Sequence, residues 1–180
     1  MTSSGNRLLI TGGLGYVGGR VASYLAAAAP ETLIRLMTRR NKNQVPEWAR
    51  GMDLANADVL KPDSLVTALD GIDTVLHLAA VNEIESQQDP DLALDVNGRG
   101  THRLLQACHA VGVKRFIYMS TFHVYGPGFA QPITENSPTR PVHPYAITHR
   151  VAEDFVNWYR HSYGMETLIL RLSNGYGYPA

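Results

Sequence analysis

Cysteine is nearly absent. Cys108 stands alone, which excludes a disulfide framework and a cysteine-rich metal site. Neither sign of charge dominates: 16 lysine and arginine residues balance 16 aspartate and glutamate residues, for a formal net charge of zero. A nucleic-acid or polyanion binder normally shows a basic bias, so no nucleic-acid partner is expected. No apolar run reaches the roughly 18 residues that suggest a membrane-spanning helix. The start, MTSSGNRLLI, has no apolar signal core behind a basic region. The expectation is a soluble, cytoplasmic chain with no membrane partner. Internal repeats and low-complexity segments are also missing. The seven histidines show no H-E-x-x-H or paired-ligand spacing, so no metal site is expected.

What is present is a chain of 180 residues, 44% apolar, enough for one domain with a full core. Short aliphatic runs alternate with longer helical patterns. The runs predict strands at 7–11, 32–38, 51–59 (a weak one), 74–80, 115–121 and 167–173. Helices are predicted at 15–29, 62–69, about 90–111 and 145–163. Near-continuous apolar strands suit a parallel sheet covered on both faces. The alternation therefore predicts a Rossmann-like, doubly wound α/β fold. One long loop, 125–144, is rich in proline and glycine and lies beyond the end of a strand, where such folds bind ligands.

The stretch ITGGLGYVGG follows the first strand and opens the first helix, with Gly12, Gly15 and Gly18 at a G-x-x-G-x-x-G spacing. Glycine lets the chain turn tightly and brings backbone N–H groups against a pyrophosphate. In this strand–turn–helix setting the spacing points to a dinucleotide site, the alternative being a turn shaped only for packing. Gly12, Gly15, Tyr16, Val17 and Gly18 are its candidate cofactor contacts. The end of the second strand reads RLMTRRNK and carries no acid for the ribose 2′-OH of NAD. Arg39, and with it Arg40, suits the 2′-phosphate of NADP; a solvated basic loop explains them equally well. The cofactor is NAD or NADP, with a lean to NADP.

Taken together, these motifs resemble the extended short-chain dehydrogenases/reductases, the group of nucleotide-sugar epimerases and dehydratases, over nearly the whole chain. TGGLGYVGG is similar to the family's glycine motif, and ADV at 57–59 to its adenine contact, which implies Asp58 and the adjoining Val59. HLAA at 77–80 resembles the strand-end motif lining the nicotinamide ribose, implying Leu78, Ala79 and Ala80. DVNGRGT places Asn97 in the family's structural role. MSTFHVYG puts Ser120 beside the nicotinamide and Thr121 at the catalytic hydroxyl. PYAITHRVAE resembles the motif that carries the catalytic tyrosine, here Tyr145. RLSNGYG implies Asn174 at the substrate. The resemblance further implies a small-molecule substrate of the nucleotide-sugar type. It also implies a homodimer built through the helices at 90–111 and 145–163.

Two departures stand out. The family's catalytic lysine is replaced by His149. The family's smaller C-terminal substrate lobe has no counterpart in these 180 residues, so 1–180 reads as an NAD(P)-binding domain, a fragment or truncated form. The chemistry explains why the first matters. A phenol that shuttles a carbinol proton needs its pKa drawn down from about 10. A unit charge about 5 Å away, at an effective dielectric of 20, lowers it by about two units. His149 is four residues from Tyr145 and so on the same helical face. Its reference pKa near 6.5 leaves it mostly neutral at pH 7. Three readings remain open: a weaker working substitute, a mark of a binding module with little catalysis, or a surface histidine with the charge supplied elsewhere. Phe155, Trp158 and Tyr159 recur at helical spacing with Val151, which fits a core or dimer surface.

Overall fold

The computed structural model describes residues 6–40, 44–128, 130–173 and 175. Aliphatic runs form six strands: β1 (Arg7–Thr11), β2 (Leu33–Thr38), β3 (Asp53–Asn56), β4 (Thr74–His77), β5 (Arg115–Thr121) and β6 (Glu166–Leu172). All pair in parallel, in the order β3-β2-β1-β4-β5-β6. This is the doubly wound order expected from the sequence, and its direction of progression reverses between β1 and β4. Leu9, Ile10, Leu36, Val75 and Phe116 are completely buried in the sheet, which is why these runs lack a polar face. The third strand is shorter than the expected 51–59. Ala57 and Asp58 leave the sheet because the Asp58 carboxylate accepts from the Leu60 N–H, and the Asp58 N–H donates to Ser64 Oγ.

The helices are α1 (Tyr16–Ala28), α2 (Pro62–Ala68), α3 (Glu83–Gln88), α4 (Pro90–Ala93), α5 (Thr101–Val111) and α6 (Pro144–Tyr163). A π-helical segment, Leu94–Gly100, joins α4 to α5, so the run expected at 90–111 is one helix with a widened middle. Gly112 and Gly164, both left-handed, end α5 and α6. Helix α3 was not legible in the sequence. EIESQQ carries a single aliphatic residue, and the helix is started by Asn82, whose side chain accepts from the Glu85 N–H.

One face of the sheet packs against α2, α5 and α6 through Leu65, Leu104, Cys108, Val156 and Tyr159. The other packs α1 and the segment around Trp48 against Leu8, Ile10 and Leu36. On that second face Leu168, Leu170 and Leu172 of β6 are exposed. Burial pushes the Cys108 thiol up, which makes it an unreactive core residue. The aromatic stripe of α6 splits: Tyr159 is core, whereas Trp158 is exposed and Phe155 stacks on His102 with ring centroids 4.5 Å apart. Among the described residues no helix is long and apolar enough to cross a membrane.

A buried carboxylate ties α6 to the two neighbouring strands. Glu153 has no solvent exposure; it accepts from Ser120 Oγ on β5 at 2.6 Å. Arg171 on β6 contributes a two-pronged pair at 2.9 and 2.7 Å, and Arg150 adds a contact at 3.2 Å. Burial alone would raise the carboxyl, but the hydrogen bonds from Arg171 and Ser120 and the charges of both arginines hold it below the ordinary 4.5. A depressed folded-state pKa means the stabilisation is present above the unfolded value and fades as pH falls through the folded one. Glu153→Ala is expected to lower stability by about 3 kcal/mol near pH 7, because it takes the carboxylate from Arg171, whereas Arg150 keeps Asp154 at 2.6 Å. The deficit relative to the parent chain should narrow in acid, read from urea midpoints at pH 7 and pH 3. An equal deficit at both values contradicts this.

Candidate active site

The first wall of the site is the turn from β1 into α1. Gly12 has φ 64, and a Cβ there would come within 3.1 Å of the Ala79 backbone. A Cβ on Gly18 would come within 2.5 Å of the Gly12 carbonyl oxygen. Gly18 therefore lies closer to the turn than a side chain permits, and Gly12 combines a tight contact with a left-handed backbone that favours glycine.

A relay of side chains that sequence reasoning missed locks this turn to the end of β4. The Thr11 hydroxyl accepts from the N–H groups of Leu78 and Ala79, at 3.0 and 3.1 Å. With its lone pairs so engaged, it donates to His77 Nδ1 at 2.6 Å. His77 Nε2–H then donates to Thr101 Oγ1 at 3.0 Å, which passes its own hydrogen to the Asn97 carbonyl. Burial pushes His77 down to about 3, with the neighbouring His149 acting in the same direction, so it serves as a neutral strut. Asn97 is also structural. Its side chain accepts from the Val81 N–H at 2.7 Å and donates to Thr148 at 3.1 Å.

Two cavities adjoin at the carboxyl ends of the strands, sharing Leu78 and Ala80. The larger, about 600 Å³, is lined by Gly12, Gly15, Arg39, Arg40, Asp58, Val59 and Ala79, among others. The smaller, about 410 Å³, brings Val17, Ser120, Thr121, Tyr145 and His149 together. Tyr16, Gly18 and Asn97 line neither: Gly18 and Asn97 are buried, and Tyr16 is partly exposed with Arg20 over its ring. Asn174 lies outside the described residues. Three further residues had no signal of their own in the sequence. Glu83 and His123 line the smaller cavity, delivered by α3 and by the 3-10 turn Phe122–Tyr125. His143 caps α6 from its own side chain, and its Nε2 lies 4.0 Å from Glu83.

Among the described residues, the lining of the smaller cavity includes no lysine or arginine, the permanent cation the chemistry would favour. His149 is 2% exposed, and burial pushes it down to about 4 against an opposing pull from Glu153. It is neutral at physiological pH. The reading of His149 as a surface histidine is therefore overturned: position 149 faces inward because α6 packs that side on β5. Its ring meets Tyr145 edge-on, with centroids 4.4 Å apart. Tyr145 is raised above the ordinary 10 by burial and by the Glu83 carboxylate, with a hydrogen bond to Thr121 pulling the other way. Among the described residues no group of three or more His, Cys, Asp or Glu side chains is placed to hold a metal ion.

The comparisons with known proteins agree with this architecture. Residues 8–179 match the model of the NAD dependent epimerase/dehydratase family. The chain is 33% identical to the dTDP-D-glucose 4,6-dehydratase of Mus musculus, over 97% of this chain and 52% of that protein. It is 31% identical to a putative UDP-glucose 4-epimerase of Methanocaldococcus jannaschii, over 94% of this chain and 56% of that protein. The structure of UDP-glucose 4-epimerase from Brucella ovis in complex with NAD superposes with a TM-score of 0.84 at 28% identity, covering 94% and 52%. That of a dTDP-glucose 4,6-dehydratase mutant from Streptomyces venezuelae, with NAD bound, superposes with 0.86 at 29% identity, covering 95% and 56%. The chain thus spans about half the length of the curated relatives it matches. Glycine turn, strand order, paired cavities and matching family model lead to one statement: the chain belongs to the NAD dependent epimerase/dehydratase family.

Proposed function

We propose that this chain is the cofactor-binding domain of an NAD(P)-dependent nucleotide-sugar epimerase or dehydratase. Tyr145 acts as acid/base, Thr121 orients its hydroxyl, and His149 stands in the lysine position. The observation that carries the reading is the junction of the two cavities. The glycine turn and Asp58 line one, and Ser120, Thr121, Tyr145 and His149 line the other. A dinucleotide fits this pair on the chain's own geometry: a Cβ at Gly12, Gly15 or Gly18 would press on backbone atoms of the turn or of the end of β4, so the compact turn needs glycine, and His149 Nε2 is a buried nitrogen with no partner among the described residues. Gly12, Gly15 and the start of α1 would hold the diphosphate. Asp58, Val59 and Arg39 would hold the adenosine half. Leu78, Ala79, Ala80 and Ser120 would flank the nicotinamide end. When bound, the cofactor supplies the hydride acceptor. Tyr145 takes the proton from the carbinol oxygen that is being oxidised and returns it on reduction. Sugar selectivity belongs to a further lobe, with Asn174 as a phosphate contact. The aromatic surface of α5 and α6, where His102 meets Phe155 and His109 meets Tyr163, would form the homodimer contact, and the protein would work in the cytoplasm.

A second reading, a cofactor-binding module with little turnover, is favoured by the neutral His149 and the raised Tyr145. Tyr145→Phe separates the two. An enzyme is expected to lose turnover about 100-fold or more while NAD affinity by calorimetry stays within about threefold. A protein that joins this domain to a substrate lobe, binds NAD and still shows no turnover with UDP- or dTDP-glucose supports the module. Without a cation beside it, Tyr145 ionises late, so kcat/KM for oxidation should still be climbing at pH 9. His149→Lys should move that rise about two pH units lower; an unchanged profile would exclude charge as the missing factor. The arginines at the end of β2 carry the lean towards NADP, whereas the Brucella and Streptomyces relatives above hold NAD. Arg39→Ala should weaken NADP about tenfold and leave NAD within about twofold. Equal losses for both would exclude the 2′-phosphate as the partner of Arg39 and assign it to a group the two cofactors share.

A further inference from the structure

His149 cannot be read alone, because its Nδ1 lies 2.7 Å from the hydroxyl of Tyr118 on β5. Both side chains are 2% exposed. A neutral imidazole carries one hydrogen and the phenol carries one, so two arrangements exist. In the first, Nδ1–H donates to the phenol oxygen. The phenol hydrogen then has no acceptor among the described residues, and the bare, buried Nε2 lone pair has no donor among them. In the second, the phenol donates to Nδ1, which places the imidazole hydrogen on Nε2. The first leaves two buried groups unmatched and the second leaves one. An unmatched buried donor is costly enough to decide between them. The unmatched group in the second arrangement is Nε2–H, without a partner among the described residues, on a side chain that lines the cavity with Ser120, Thr121 and Tyr145.

We propose that Tyr118 is a positioning residue that fixes His149 as the Nε2–H tautomer, so that this cavity-lining side chain carries its one neutral N–H donor on a buried nitrogen. This rests on reading the cavity as the cofactor and substrate site. A neutral donor of this kind pairs with a hydroxyl or carbonyl oxygen, such as a ribose hydroxyl, and discriminates little in favour of phosphate. The surrounding charges support neutrality. Glu153, one turn along α6, is already saturated by Arg171, Arg150 and Ser120. His77 packs its ring 5.7 Å from that of Tyr118 and opposes a second positive charge. Tyr145 lies on the open side, and burial together with the Glu153 and Tyr145 charges keeps the Tyr118 phenol protonated. The device orients a hydrogen bond and does nothing for the charge at Tyr145.

The test is the tautomer itself, read by long-range proton–nitrogen correlation on the 15N-histidine-labelled chain at pH 7. A His149→Asn control identifies the signals. The expected pattern is a protonated Nε2 and an unprotonated Nδ1. Tyr118→Phe should turn it into a mixture of tautomers and weaken NAD about fivefold by calorimetry. An Nδ1–H tautomer, an imidazolium, or a tautomer unmoved by Tyr118→Phe overturns the proposal. A chain that shows the expected tautomer and its loss in Tyr118→Phe, yet binds neither NAD nor NADP, supports the positioning role and overturns the cofactor reading instead.

Discussion

The geometry of the site depends on one carboxylate with no access to water. Glu153 sits on α6 and is gripped by β5 through Ser120 and by β6 through Arg171. A buried charge of this kind adds little net stability against an apolar alternative, yet removing either partner is expensive. Its effect is therefore to specify where α6 lies. Tyr145 and His149 are about two turns and one turn before Glu153 on the same helix, and Ser120 and Thr121 are neighbours on β5. Fixing Glu153 against Ser120 fixes the phenol and imidazole against the Thr121 hydroxyl.

A second constraint acts at the other end of the cleft, and it is steric. Gly12 and Gly18 let the β1–α1 turn lie against the end of β4, and the Thr11–His77–Thr101 relay holds that contact from beneath. Two histidines, His77 in this relay and His149 in the lining of the smaller cavity, are buried as neutral groups. In each case burial outweighs the charges nearby. Among the described residues, the smaller cavity is thus rich in directional hydrogen bonds and its lining holds no lysine or arginine, whereas Arg39 and Arg40 line the larger one.

The consequences for Tyr145 follow from magnitudes. A lysine four residues along would lower the phenol by about two units. Here burial and the Glu83 carboxylate act upward, and only the Thr121 hydroxyl acts downward. A hydrogen bond alone is worth less than a close charge in a partly buried site. The arrangement orients the reacting groups while leaving the phenol reluctant to ionise.

Much of this was legible in the residues. Strands buried on both faces must be aliphatic throughout, so six runs predicted six strands, and glycines at three-residue spacing marked the turn. The i+4 spacing placed Tyr145 and His149 on one face. The sequence by itself thus determined the fold class, the family and the missing cation. The tertiary structure alone decided which face of α6 is buried, and with it that His149 is an interior neutral group and not a surface one. It also decided that Tyr118, thirty-one residues earlier, is its partner. Glu83, His123 and the His77 relay reached the site in the same way. Their positions come from a capped short helix, a single 3-10 turn and contacts between distant segments. Periodicity within one element cannot report such contacts, because it carries no information about which element packs against it.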